Sequence, residues 1–247
     1  MVGAGAVGCV LTRALEQTKG NDVVYFVRRG RKKQLQRVKL LDARTNTITV
    51  REKPQVIEAG DPLSVFDTVV LAVRADQLDG ALAVVDELPK KDELRIACAS
   101  PGLDDLERVR ARAPGRPAVQ IQPGFLAYAQ GDSIRWWNPP LSRTLISFGD
   151  DGSAQPFAEE LASALSKGGV PSRAKHGGSR NAALASGVPI LGALELAHWS
   201  FDDWAKNAEL RGLTSTGSAK ASPRWRRRRW RSWCRSLRSR SSTRCYA

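Results

Sequence analysis

The sequence predicts an α/β protein in which a doubly wound sheet is followed by a shortened all-helical domain. A glycine-rich turn opens the chain, short apolar runs then alternate with helical stripes, and from residue 153 the pattern becomes helical. We therefore expect a Rossmann-type domain in residues 1–149 and a partial helical substrate or dimerisation domain in residues 150–213. Residues 214–247 form a basic low-complexity tail that we expect to be disordered.

Composition and charge describe a globular body with a separate basic tail. Hydrophobic residues make up 42% of the 247 residues, which is enough to bury a core. The net charge is +14, but 12 of the 39 Lys and Arg residues lie after Leu210, where no acid occurs. Residues 1–210 thus hold 27 basic and 25 acidic side chains, a net charge of +2. A basic nucleic-acid-binding fold is therefore not expected in the body.

Cysteine and histidine placement does not favour a metal site or a disulfide framework. The chain has no C-x-x-C pair, and its histidines do not stand at ligand spacing to the cysteines, which are Cys9, Cys98, Cys234 and Cys245. We see no signal-peptide pattern before Gly3, and the longest apolar stretch, 182–194, is shorter than the roughly 18–20 residues that cross a bilayer. We expect a cytoplasmic protein that needs neither metal nor membrane.

The opening turn reads Gly3-Ala4-Gly5-Ala6-Val7-Gly8 and fits the pattern G-x-G-x-x-G. In this pattern the first glycine permits a tight turn, the second lets a phosphate approach the backbone, and the third lets the helix pack on a strand. An apolar helical face follows, and then a β-rich run at Val23–Val27. This order predicts a dinucleotide site at residues 3–8, although a small-residue helix start in an ordinary α/β core is the alternative.

The strand before the glycine turn is expected to be short. Only Met1 and Val2 precede Gly3, whereas this motif normally follows a strand of about five residues. We interpret the sequence as beginning late within that strand.

The residues after the second strand select the cofactor. A carboxylate there would bind the ribose 2′-hydroxyl of NAD(H), but this chain carries Arg28-Arg29-Gly30-Arg31. Guanidinium groups pair bidentately with phosphate, so Arg28 and Arg29 favour NADP(H). Asp22, the nearby acid, comes at the start of the strand and lies at the wrong edge of the sheet. A solvated basic turn without a ligand is the alternative interpretation.

A second basic position follows the apolar run Phe66–Val73, which is typical of a central parallel strand. Because ligands of open α/β sheets bind beyond the carboxyl ends of strands, we expect Arg74 and Gln77 to lie beside the cofactor. A helix with an apolar stripe follows, and then another strand at Leu94–Ala99.

Later segments predict more strands and then helices. The strands are expected to finish the sheet in antiparallel fashion and fall at Ala118–Gln122, Phe125–Tyr128, Ser133–Trp137 and Thr144–Phe148, after a hairpin addition at Val38–Asp42 and Thr47–Val50. The helical stripe of Phe157, Leu161, Ala164 and Leu165 should stop at Gly168-Gly169. Asn181–His198 is expected to be a buried helix, and Ser200-Phe201-Asp202-Asp203 is a capping box for the next one.

These motifs together resemble the ketopantoate reductase family, also called 2-dehydropantoate 2-reductases. The resemblance rests on Gly3–Gly8, on Arg28-Arg29-Gly30 and on the segment from Val70 to Gln77, and it covers roughly residues 1–205. It implies a Rossmann domain followed by an all-helical domain, NADPH as hydride donor, and reduction of a short branched 2-oxo acid. It also implies a cytoplasmic role in the pathway to pantothenate, and we expect a homodimer.

The catalytic part of the family pattern is not found. The family has Asn-Gly after the fifth strand, where this chain has Ser100-Pro101-Gly102. The family's lysine stands four residues before an asparagine, but Gly177 stands four before Asn181, and Lys175 has the wrong spacing for the same helical face. His198 is interpreted as a packed core residue, and nothing after Leu213 matches the family's substrate glutamate. We therefore assign no catalytic residue.

Three functions remain open at this point. The first is an NADPH-dependent reductase of a small 2-oxo acid, and the second is a non-catalytic NADPH-binding relative that has lost the catalytic lysine and the substrate glutamate. The third is a nucleic-acid binder that uses the arginines and tryptophans of 214–247. A shift of reading frame near Leu213 is the favoured explanation of that tail.

Overall fold

The structure is a computed structural model that describes residues 1–63, 65–88, 94–100, 102, 104–149, 152–177, 192–198 and 200–219. Its contacts divide the chain into two compact units, Met1–Arg180 and Asn181–Ala247. The first unit thus extends past the boundary predicted at residue 149.

The first unit alternates strands and helices. Its strands are β1 (Tyr25–Val27), β2 (Arg37–Asp42), β3 (Thr47–Glu52), β4 (Val56–Glu58), β5 (Thr68–Leu71), β6 (Arg95–Cys98), β7 (Ala118–Gln122), β8 (Leu126–Gln130), β9 (Ser133–Trp137), β10 (Thr144–Phe148) and β11 (Ser172–His176). Its helices are α1 (Ala6–Glu16), α2 (Leu78–Glu87), α3 (Asp105–Arg112) and α4 (Gln155–Lys167), with 3-10 turns at Lys32–Gln34 and Ala75–Gln77.

Val2 connects two parts of the main sheet. One part pairs β1 with β4, and the other has the order β5-β6-β7-β10-β11. Val2 bridges Phe26 of β1 and Leu71 of β5, both in parallel. The order β4-β1-Val2-β5-β6-β7 is therefore that of a doubly wound nucleotide-binding sheet. The predicted fold is confirmed, with Val2 in the place of the first strand.

The end of the main sheet differs in part from the prediction. Only β10 of the strands predicted after residue 122 joins it, antiparallel to β7. The strands β8 and β9 instead form a second sheet of order β3-β2-β9-β8, which includes the predicted hairpin β2–β3. The alternation of side chains along these strands explains this arrangement, because it places Val38, Leu40 and Trp136 on one face of the second sheet, where they are buried in the same core as α1.

Helix α4 packs closely against α1. A Cβ atom at Gly168, just after the helix, would lie 2.0 Å from the carbonyl oxygen of Ala14. The predicted stripe is confirmed, because Phe157, Leu161 and Leu165 are buried. The strand β11 follows and was not predicted, since its sequence Ser-Arg-Ala-Lys-His lacks apolar alternation. It pairs in parallel with β10 along its whole length and so belongs to the first unit.

The described part of the second unit is helical. Residues 192–196 are helical, and helices follow at Phe201–Lys206 and Ala208–Ala219. The predicted capping residue is confirmed, because Ser200 Oγ accepts a hydrogen bond from the Asp203 amide at 3.1 Å. Most of the helix predicted at 181–198 lies outside the described residues, as does the tail from 220 onward. The start of the predicted disordered tail, 214–219, is helical.

The described ranges contain no helix with the length and apolar character needed to cross a membrane. Within the same ranges, no group of three or more His, Cys, Asp or Glu side chains is placed to hold a metal ion.

We predict that Cys9 and Cys98 resist alkylation in the folded protein. Burial raises the pKa of both thiols to about 11, so both stay protonated at about pH 8, where an ordinary cysteine is partly ionised. Brief treatment with iodoacetamide followed by peptide mass spectrometry should find both unmodified. The same treatment in guanidinium chloride should label both, and equal labelling in the two conditions would contradict the burial.

Candidate functional site

The parallel strands bring the predicted site segments to one edge of the main sheet. Gly3 follows Val2, Arg28 follows β1, Ala72 follows β5, and Ala99 follows β6. Because these strands run in parallel, their carboxyl ends meet at the same edge, where ligands of open α/β sheets bind. The glycine turn therefore faces a sheet edge, as the sequence predicts.

Two positions of the turn tolerate only glycine. Gly3 has φ of +100°, and a Cβ atom there would lie 2.4 Å from the carbonyl oxygen of Ala72. A Cβ atom at Gly8 would lie 2.2 Å from the carbonyl oxygen of Gly3. These close approaches hold the start of α1 against the end of β5. The first and third glycines thus have the packing roles that the motif assigns to them.

The middle of the turn is open. Gly5 precedes α1 as its N-cap and is exposed, and a Cβ atom placed on it would meet no atom within 4 Å. No side chain caps the helix, and its first turn, which begins with Ala6 and Val7, contains no acid. Helix N-termini carry amide donors and a partial positive charge. Free space beside uncapped amides fits the pyrophosphate of a dinucleotide.

Ala4 and Val7 pack inward from the same turn. Both are partly buried against the core that contains α1, and the Ala4 carbonyl lies 3.6 Å from Cys9 Sγ. These two residues therefore contribute backbone to the turn and apolar contact to the core.

Arg28 and Arg29 are exposed where β1 ends. Within the described ranges, neither side chain forms an ion pair or a hydrogen bond. Two carboxylates at and after the end of β4 bind Lys32: its amide donates to Glu58 at 2.5 Å, and its ammonium lies 3.5 Å from Asp61. The hydrogen bond that the Glu58 amide donates to the Asp61 carboxylate lowers the pKa of Asp61, and the charge of Lys32 lowers it too. Both arginines therefore remain available to a phosphate.

Arg74 and Gln77 are exposed beyond β5. Arg74 is not free, because Nε and Nη2 donate to the Asp76 carboxylate at 3.0 Å and 2.7 Å. The hydrogen bonds that Arg74 donates to Asp76 raise the pKa of Arg74, but an exposed ion pair of this kind exchanges readily with another anion. Gln77 lies at the N-cap of α2 and makes no side-chain cap. Their contact with a cofactor remains a prediction.

The loop after β6 contains polar residues that the sequence did not single out. Gln120 of β7 is fully buried, and its Nε2 donates to the Gly102 carbonyl at 3.1 Å. The Gly102 amide donates to Asp105 at 2.8 Å, and Ser100 Oγ is buried without a described partner. A glutamine between Val119 and Ile121, in the middle of a predicted strand, is the signal that could have identified this loop support.

The structure does not identify a catalytic acid. Lys175 is exposed on β11 opposite Ser147, which places it on a strand rather than a helix. Asn181 lies outside the described residues. The interpretation of His198 as a core residue is wrong, because His198 is exposed, with φ of +51°, just beyond the helical residues 192–196.

The strand order and the glycine turn define a doubly wound α/β protein of the Rossmann type. A family model described as ketopantoate reductase PanE/ApbA matches residues 1–132, more than half of the chain. The chain belongs to the ketopantoate reductase PanE/ApbA family. A search of curated proteins finds no match.

Several solved structures share this fold at low sequence identity. The 2-dehydropantoate 2-reductase of Methylococcus capsulatus has a TM-score of 0.67 and 14% identity over 90% of this chain and 74% of its own. The enzyme of the same name from Geobacter metallireducens GS-15 has a TM-score of 0.62 and 15% identity over 78% of this chain. This chain spans only 61% of that protein. D-mandelate dehydrogenase in complex with NADH has a TM-score of 0.61 and 15% identity over 90% of this chain and 79% of its own.

The glycine geometry predicts opposite outcomes for two substitutions. Gly8→Ala should destabilise the fold by about 1–3 kcal/mol, because its methyl group overlaps the Gly3 carbonyl. Gly5→Ala should cost at most about 1 kcal/mol as a change of N-cap, yet should weaken NADPH binding by at least about tenfold by filling the open space. Urea denaturation and NADPH fluorescence titration measure the two effects. Unchanged NADPH affinity in Gly5→Ala would place the phosphate elsewhere.

Proposed function

We propose that this chain is an NADPH-dependent reductase of a small 2-oxo acid, resembling 2-dehydropantoate 2-reductase. The observation that carries the proposal is the combination of an open, uncapped helix start at Gly5 with two arginines after the next strand that have no partner among the described residues. Membership of the ketopantoate reductase family supports the reaction class. The complex of D-mandelate dehydrogenase with NADH supports a nicotinamide cofactor for this fold.

The residues present fit NADP(H) at both of its phosphate positions. The pyrophosphate would lie over Gly5 and accept hydrogen bonds from the first amides of α1. The 2′-phosphate would pair with Arg28 and Arg29, at the position where a carboxylate selects NAD(H) in related folds. Gln77 and Arg74 would lie beside the same cofactor, with Arg74 exchanging its contact with Asp76 for a ligand oxygen.

The reaction requires more than cofactor binding. NADPH supplies a hydride to the ketone, and the carbonyl oxygen then develops negative charge that a nearby donor must stabilise and protonate. The loop of Ser100 and Gly102, supported by Gln120, lies at the sheet edge where the nicotinamide would reach. We propose that this loop shapes the nicotinamide end of the site.

A non-catalytic NADPH-binding relative is the second candidate. The specific observation in its favour is the placement of Lys175, which lies exposed on the edge strand β11. No asparagine stands four residues after it, where the family pattern requires one. Such a protein would keep the phosphate contacts and lose the proton donor, so it would bind NADPH without consuming it.

We predict that Arg28→Ala/Arg29→Ala weakens NADPH binding about 10- to 100-fold, since each charge-assisted hydrogen bond contributes about 1.5–3 kcal/mol. NADH binding should be nearly unchanged because NADH lacks the 2′-phosphate. Fluorescence titration of both nucleotides measures the difference. Arg37→Ala, which removes an exposed arginine paired with Glu52, is the matched control. Equal loss for NADPH and NADH would refute the 2′-phosphate site.

Turnover separates the two candidate functions. With ketopantoate and a panel of other 2-oxo acids, we expect the full chain to consume NADPH, measured by loss of its absorbance. Tight NADPH binding without turnover on any member of the panel would reject the reductase and favour the non-catalytic relative. Failure to bind NADPH would reject both.

A further inference from the structure

A cavity of about 150 Å³ lies between α1, β1 and the β2–β3 hairpin. It begins at Cys9, one turn into α1, and is lined by side chains that include Thr12, Tyr25, Arg51, Val38 and Leu40. One water needs roughly 10–15 Å³ of such space. The cavity therefore has room for a small organic molecule, and the cofactor site at the sheet edge does not use it.

Two hydrogen-bond donors of this wall have no partner. Thr12 is 1% exposed, and its Oγ1 makes no hydrogen bond of normal geometry within the described ranges. The Nη1 atom of Arg51 is likewise buried and unpaired there, whereas Nη2 donates to the Val23 carbonyl at 3.1 Å and pairs with Glu16. Buried donors without acceptors are rare in proteins and costly. Both residues line the same cavity, which makes a ligand of that cavity the candidate for the acceptor that the described residues do not supply.

Tyr25 adds a third polar group to the same wall. The residue is 1% exposed, and burial raises the pKa of its phenol, so the hydroxyl keeps its proton. Thr12 is close enough to influence this pKa in the opposite direction, although the contact is not a hydrogen bond of normal geometry. Thr12, Tyr25 and Arg51 therefore each carry a hydrogen-bond donor on this wall.

The charge of the wall favours an anion. It holds two guanidinium groups, Arg13 and Arg51, against one carboxylate, Glu16. Burial raises the pKa of Glu16, Arg51 opposes that shift, and the charge of Asp22 adds to it. Arg13 is already held, because its Nη1 donates to the Gly168 carbonyl at 3.2 Å and its guanidinium lies 5.1 Å from the Trp136 ring. The free donor capacity belongs to Arg51.

We propose that this cavity binds a small aliphatic carboxylate. Its oxygens accept hydrogen bonds from Arg51 Nη1 and Thr12 Oγ1, and its alkyl part contacts Val38 and Leu40. A charged oxygen acceptor matches the unpaired guanidinium, and the apolar wall excludes a fully hydrated ion such as free phosphate. The site is separate from the cofactor site and does not depend on the reaction proposed above.

Ligand-observed NMR on the full chain tests this site with isobutyrate as the probe and isobutyramide as its uncharged counterpart. The protein should bind isobutyrate, and isobutyramide at least about tenfold more weakly, because the charge-assisted contact is lost. Thr12→Val keeps the side-chain shape and removes only the hydroxyl, and Arg51→Lys keeps the charge beside Glu16 but removes the guanidinium donors. Both should weaken isobutyrate binding at least about tenfold.

Two controls make the result decisive. Arg37→Lys makes the same change on an exposed arginine of the same hairpin and should bind isobutyrate like the unmodified chain. Thr12→Val should retain its melting temperature without ligand, since the hydroxyl it removes has no partner, and should still bind NADPH. Equal isobutyrate binding by all variants would assign the carboxylate to the basic tail and overturn the proposal. Absence of binding by the unmodified chain would show that the cavity holds water only.

Discussion

The pairing of Val2 on both sides is the interaction on which the architecture depends. Its amide donates to Val70 and its carbonyl accepts from Ala72, each at 2.8 Å, while the neighbouring Met1 carbonyl accepts from Phe26 at 2.8 Å. These bonds join β1 and β4 to the rest of the main sheet. They also fix where the chain leaves the sheet, so that Gly3 turns against Ala72 and α1 starts at the carboxyl edge. A displaced Val2 would move the glycine turn with it.

The sequence predicted the elements whose signal is local. The segments predicted as strands between turn residues, such as Ala118–Gln122 and Thr144–Phe148, coincide with strands in the structure, and the glycine spacing predicts the turn. The sheet to which a strand belongs is not a local property. The strands β8 and β9 have the same alternation whether they extend the main sheet or pair with β2, and burial of Trp136 beside α1 decides between these alternatives.

Other features were not predictable for different physical reasons. The strand β11 has a polar sequence because it pairs on one side only, so it lacks the apolar pattern that marks a strand. His198 follows an apolar segment and was therefore assigned to the core, but it lies where that helix ends and the chain turns. The support of the β6 loop by Gln120 joins residues far apart in sequence: the glutamine marks a polar position in a strand, but a single sequence does not identify Gly102 as its partner.

The distribution of charge along the chain limits where an anionic ligand would be attracted. Residues 1–210 carry a net charge of only +2, so a positive patch in this body requires arginines that lack partners, and Arg28 and Arg29 meet that condition among the described residues. In the proposed function, the pyrophosphate and the 2′-phosphate would both be recognised by backbone and side chains within the first 30 residues. Under that proposal, cofactor binding and turnover depend on different parts of the chain, so a relative that binds NADPH without consuming it would keep the same contacts.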